Sequence, residues 1–330
     1  MGSSNLKVVV SAIAGNSFIT VIKFIGWFFS QSPSLLAEAI HSLADSLNQI
    51  LLLVGLKQSH GAVSREQPTG PGEARYLWNL ISAVGVFFLG FGVTAYHGLH
   101  ALVSSHNEIG PISWIGISVL VVSFIIEFYV FIQAYREVKI QKGSLGYIEF
   151  LKESDDPTLI AVLLEDGVAV LGVSLAMLGI GLGQIFNSVL FDIFASLGIA
   201  FLLGLMAVLL AFINGKLLIG RSTSIHKEEE IELFIQNQAE IKSVLLLKTQ
   251  ILGAGSIRLS VEVELNSSEL IQSVDIKEVL KKLATEEDQF KILYKSSERM
   301  IRLTAKIVAQ LELKIQENFP EVSLIDLEIT

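Results

Sequence analysis

The stretch SLLAEAIHSLADSLNQ, residues 34–49, sets Glu38, His41 and Asp45 into otherwise apolar sequence. His41 and Asp45 stand four apart, so on a helix they share a face about one turn from each other, and Glu38 falls a turn earlier on nearly the same stripe. An imidazole and a carboxylate at that spacing can fill two corners of a zinc tetrahedron. A second stretch, LIAVLLEDGVAVLGV, contributes Glu165 and Asp166. Glu127 lies within VVSFIIEFYVF, and Asn16 and Lys23 lie in a first apolar run. Inside a bilayer each charge near the centre costs about 2.5–3.5 kcal/mol and needs a reason to be there. Holding helices together is reason enough for the amides Asn16, Asn48 and Gln49. Lys23 either snorkels or pairs with a carboxylate, and Glu38 either pairs with Lys23 or supports a ligand from behind. For His41, Asp45 and Asp166 a divalent ion is the sufficient reason, since it satisfies two carboxylates and an imidazole together.

The elements that carry these residues are long apolar runs. Val8–Phe29, Ser34–Leu56, Tyr76–Leu102, Ile112–Ala134, Thr158–Ile180 and Ser188–Leu218 each reach the ~20 residues that cross a bilayer. The links Ser30–Pro33, Ser104–Pro111 and Gly181–Asn187 carry no Lys or Arg. On the other side stand Lys7, then Lys57, Arg65 and Arg75, then Arg136, Lys139, Lys142 and Lys152, then Lys216 and Arg221. By the positive-inside rule both termini face the cytoplasm, as an even number of spans requires. Buried core helices of a soluble protein do not produce basic flanks on one side. Val8–Phe29 is longer than a signal-peptide core and lacks a small-residue cleavage pattern, so it reads as a retained helix.

Composition agrees. Only 17% of the 330 residues are charged while 51% are hydrophobic, and the charges crowd into the last third, as expected of a membrane part followed by a water-soluble part. There is no cysteine, which excludes disulfides and thiolate metal sites. The net charge of −9 argues against nucleic acid as a partner.

At these residues the chain resembles the cation diffusion facilitators, over nearly its whole length. SPSLLAEAIHSLADSLNQILLLVG is similar to the family's second helix, with the HSxxD signature at His41 and Asp45. QPTGPGEARYLWNLISAVGVFFLG resembles its loop and third-helix start, HPxGxGRERYxWALI. LKESDDPTLIAVLLEDGVAVLGV is similar to the fifth-helix start of the branch that includes the mitochondrial zinc transporter nine, where a Glu-Asp pair replaces HxxxD. Aligned on Asp166, the family's fifth-helix histidine falls at Val162, which cannot bind metal. The four-ligand set is then short by one, and Glu165, Glu127, Glu38 or a water remain open as its completion. Glu165 is preferred by proximity, although adjacent helix residues point about 100° apart. The loop histidine is Gln67 here.

After Arg221 the sequence turns charged and amphipathic, and the expected domains are 1–221 in the membrane and 222–330 in the cytoplasm. Helices are expected over Glu228–Asn237, Ser268–Leu283 and Ser297–Asn318, with Ala284–Ser296 an insertion and Pro320 ending the last helix. Strands are expected over Ser243–Ile251, Ser256–Leu265 and Val322–Ile329, with a glycine-bearing turn at Leu252–Gly255. This describes a small α+β domain. The resemblance implies that it is ferredoxin-like and dimerises. With His226 as its one histidine and no cysteine, it is expected to hold no strong regulatory zinc site.

The expected function is efflux of a divalent cation by alternating access, the ion held by His41, Asp45, Asp166 and Glu165. Ligation needs neutral imidazole and ionised carboxylates, so uptake displaces protons, and proton antiport follows from this chemistry and from the resemblance. Zinc suits imidazole with carboxylates, while manganese, iron and cobalt stay open. The rival is a non-transporting homologue acting as partner subunit or metal sensor. No nucleophile–base pair suggests an intramembrane enzyme, and no repeat suggests a channel filter. The default membrane is a bacterial plasma membrane, with an organellar one as the alternative.

Overall fold

The computed structural model describes residues 3–59, 61, 64–104, 114–143, 146, 157–253, 255–267, 276–285 and 289–330. They divide into two compact units, Met1–Ile219 and Gly220–Thr330.

The first unit is built from α1 (Ser3–Ser30), α2 (Pro33–Ser59), α3 (Ala74–Ser104), α4 (Trp114–Gln141), α5 (Pro157–Phe186) and α6 (Leu190–Ile219). All six are long and apolar enough to cross a membrane, and helices satisfy their own backbone hydrogen bonds there. Their outward faces carry bare apolar side chains such as Phe201, Phe212 and Trp114. The inward faces meet in one core of Leu35 and Ala44 from α2, Val86 from α3, Val119 and Leu120 from α4, Val173 and Ala176 from α5, and Ile199, Leu203 and Met206 from α6. Among these helices α2 and α6 are the most enclosed, and α2 packs against α1, α3, α5 and α6. That central place is why its polar residues are hidden. α3 widens into a π-helix over Val86–Val93, where Gly90 lies against Leu203 of α6.

The turns are tighter than expected. Gln31 takes a positive φ of 53° between α1 and α2, and its side-chain amide donates to Phe28 O at 2.7 Å, closing the end of α1. The link expected over Gly181–Asn187 is helix as far as Phe186, and the reversal falls on Asn187 with φ 49°. In a membrane an unwound backbone has no water to bond, so the helix continues through Gly181 and Gly183 despite their low propensity. The link expected over 104–111 lies outside the described residues beyond Ser104.

The second unit runs α7 (Ile225–Gln236), β1 (Ile241–Gly253), β2 (Ser256–Leu265), α8 (Ile276–Thr285), α9 (Gln289–Asn318) and β3 (Val322–Ile329). β2 is central, antiparallel to β1 and parallel to β3. Ile257, Leu259, Val261 and Val263 alternate inward as the period of two predicted. Leu259, Val261 and Val263 pack with Ile231 and Ile235 of α7 and Leu311 and Ile315 of α9 in a second core. Gly255 turns the hairpin with φ 66°. Residues 289–296, expected as part of an insertion, are instead the first turns of α9. Ile292 is buried there.

Candidate functional site

α2 delivers Glu38, His41 and Asp45 to the interior of the first unit. His41 and Glu38 have no exposed surface, and His41 Nε2 lies 3.5 Å from Asp45 Oδ2, as the spacing of four predicted. Neither ring nitrogen of His41 has a hydrogen-bond partner among the described residues, nor does Asp45 Oδ1. Buried polar atoms are ordinarily paired, so this group is arranged for something other than its own satisfaction.

Asp45 faces a cavity of about 280 Å³ lined by residues of four helices. Asn16 and Ile19 of α1, Ser42 and Gln49 of α2, Glu127 and Val130 of α4, and Asp166 of α5 also line it. Gln49 of α2 and Val130 of α4 lie in the halves of their helices that lead to the basic loops. Three carboxylates from α2, α4 and α5 therefore share one space, and Asp166 Oδ2 and Glu127 Oε2 have no hydrogen-bond partner among the described residues. Like charges so placed repel strongly in a low dielectric, and a cation is the guest that relieves this.

Glu165 is not among the residues that line this cavity. It accepts a hydrogen bond from Asn48 Nδ2 at 2.8 Å, and Asn48 Oδ1 in turn accepts from Ser82 Oγ at 2.5 Å. Asn48 thus ties α2 to α5 and α3, in the helix-linking role expected of it. Asn16 and Gln49, given the same role, line the cavity instead, and Gln49 Oε1 has no hydrogen-bond partner among the described residues. Lys23 of α1 is fully enclosed and donates to Glu38 Oε2 at 2.8 Å and to Glu127 Oε1 at 2.7 Å. Of the two fates open to Lys23, pairing holds, and snorkelling does not. Its second partner lies 104 residues away, a distance over which helical spacing carries no signal.

Among the described residues, no three His, Asp or Glu side chains converge closely enough to hold a metal ion. His41 and Asp45 are together, Asp166 and Glu127 line the cavity with Asp45, and Glu165 is hydrogen-bonded to Asn48.

Residues 9–219 match the family described as the cation efflux transmembrane domain. The human proton-coupled zinc antiporter SLC30A9, mitochondrial, is 32% identical over 332 residues, 98% of this chain and 58% of the relative. Its Xenopus laevis counterpart is 31% identical, covering 98% of this chain and 59% of the relative. Metal tolerance protein C4 of Arabidopsis thaliana is 30% identical over 335 residues, 98% of this chain and 73% of the relative. This chain thus spans somewhat over half the length of the two antiporters. With a family match that takes in all six apolar helices, the chain belongs to the cation efflux family, a family of transporters and not of enzymes.

Proposed function

We propose that the chain exports a divalent metal ion, zinc first, by alternating access coupled to counter-movement of protons. The observation that carries this reading is the cavity shared by Asp45, Asp166 and Glu127, with His41 against Asp45. The names of the antiporter relatives support zinc and protons as the exchanged species. Ion entry cancels the repulsion that keeps the carboxylates apart and draws Asp166 toward His41 and Asp45. The imidazole and carboxylates shed protons as they ligate, so each ion bound releases protons for the return step. Manganese, iron and cobalt are the competing cargoes.

The basic loops face the compartment from which the ion is taken, and the second unit pairs two copies of the chain. The expected bacterial plasma membrane draws no support from these relatives, since the antiporters are named mitochondrial and the third is a plant protein.

Asp45→Ala, reconstituted in proteoliposomes with a proton gradient, is expected to lose zinc flux entirely; flux equal to wild type would remove this site. The lack of a closed three-residue cluster among the described residues, together with Val162, favours the second reading of a non-transporting partner subunit. A purified wild-type chain that moves no zinc yet binds an active exporter would establish that reading instead.

A further inference from the structure

Lys23 is a fully buried ammonium shared by two carboxylates, 2.8 Å from Glu38 Oε2 and 2.7 Å from Glu127 Oε1. One positive charge between two negative ones leaves an excess negative charge, and its two holders are not equivalent. Glu38 is sealed in: its other oxygen, Oε1, lies where a side chain on Gly172 of α5 would overlap it. Glu127 is 13% exposed and lines the cavity with Asp45 and Asp166, its Oε2 without a hydrogen-bond partner among the described residues. Glu127 therefore presents one oxygen to the ammonium while its carboxylate borders the space the ion would enter.

We propose that Lys23 is a tethered counter-cation that competes with the transported ion for Glu127. This rests on the exporter reading of the same cavity and names what sets its affinity. With no ion bound, the ammonium is shared by Glu38 and Glu127. A divalent ion beside Asp45 and Asp166 takes Glu127 as a further oxygen ligand, because a double charge at similar range attracts it about twice as strongly as the ammonium. Lys23 is left on Glu38 as a neutral pair, so neither charge is stranded in the interior. The reverse movement helps release: the ammonium reclaims Glu127 and lowers the negative potential holding the ion. Glu165 stays with Asn48 throughout.

The test is Zn²⁺ titration of the purified full-length chain in lipid nanodiscs. Lys23→Gln, which removes the competitor, is expected to bind Zn²⁺ roughly tenfold more tightly, and Glu127→Gln roughly tenfold more weakly, the scale of 1.4 kcal/mol. Lys23→Gln/Glu127→Gln restores the net charge of the wild-type cluster and is expected to return near wild-type affinity. A purely structural role for Lys23 gives no tightening, and that result overturns the proposal. Where Lys23→Gln does not fold, Glu127→Gln decides alone, unchanged affinity overturning the proposal and weakened affinity supporting it. Co²⁺ reports ligation directly: its visible absorption is expected to change in Glu127→Gln and to keep its shape in Glu38→Gln, and identical spectra for wild type and Glu127→Gln also overturn it. The exporter reading fails separately, if the wild-type chain binds no Zn²⁺ or if Asp45→Ala binds it as well as wild type.

Discussion

Glu38 has room for its second oxygen only because residue 172 is glycine. Gly172→Ala inserts a methyl where that oxygen lies, on a packed helix–helix contact that has little room to give. It is expected to cost about 1–3 kcal/mol of stability, the usual toll of overpacking, seen as a lower melting temperature of the purified protein. A second residue-scale prediction concerns the other unit. Lys227 lies 2.6 Å from Glu321 and 3.3 Å from Glu230, and over the Phe319 ring. Burial works against both charged groups, but the pairing outweighs it, raising the pKa of Lys227 and lowering that of Glu321. The stabilisation from Glu321 is present above the ordinary carboxylate range and is lost as pH falls through its lowered pKa; that from Lys227 is present below the ordinary amine range and is lost as pH rises through its raised pKa. Glu321→Gln is expected to lose about 0.2–1 kcal/mol near neutrality, as for a partly exposed pair. The measure is denaturant-dependent hydrogen exchange in α7 and β3, and the gap from wild type should close in acid. The His41–Asp45 contact was legible because both residues ride one helix, whose geometry fixes a spacing of four. The pairing of Lys23 with Glu127 and the turning of Glu165 onto Asn48 were not, since each depends on which helix becomes whose neighbour.

Helices in a membrane approach closely where small residues face each other, since dispersion and not hydrophobic burial drives their contact. Gly179 of α5 meets Ala195 of α6, and a side chain there would also strike the backbone at Phe191 and Asp192, which cannot rotate away. Gly179→Val is therefore expected to part α5 from α6 more severely than Gly172→Ala disturbs Glu38, with a lower melting temperature and less monodisperse protein on size-exclusion chromatography. Asp192 at the start of α6 accepts hydrogen bonds from the backbone N–H and hydroxyl of Ser34 at the start of α2. There a carboxylate complements the partial positive charge of a helix N-terminus. The existence of all these helices could be read from run length and hydropathy. Their ends could not: glycines at 181 and 183 read as a link, yet lie in helix because the medium, not intrinsic propensity, decides. Residues 289–296 likewise read as an insertion, yet they lie in helix, with Ile292 buried.

At the scale of the whole chain, orientation is the property that converts a cavity into a direction of transport. Four crossings bring the chain to Gln141 and six bring it to Gly220, so both fall on the side of the chain that carries Arg136, Lys139, Lys216 and Arg221. The reversal at Asn187 falls on the opposite side, after five crossings. Charge asymmetry made this reading possible from sequence, because it depends on loop composition and not on packing. The absence of cysteine from the chain makes it directly testable without background. Single variants Gln141→Cys, Gln316→Cys and Ser188→Cys, expressed in sealed cells, are expected to divide into two classes toward a membrane-impermeant maleimide. Ser188→Cys should react from one face, whereas Gln141→Cys and Gln316→Cys should react only after the membrane is opened or from the other face. Gln141→Cys and Ser188→Cys reacting from the same face would mean that α5 does not cross, and the carboxylates of α4 and α5 could not then sit at one depth in the bilayer.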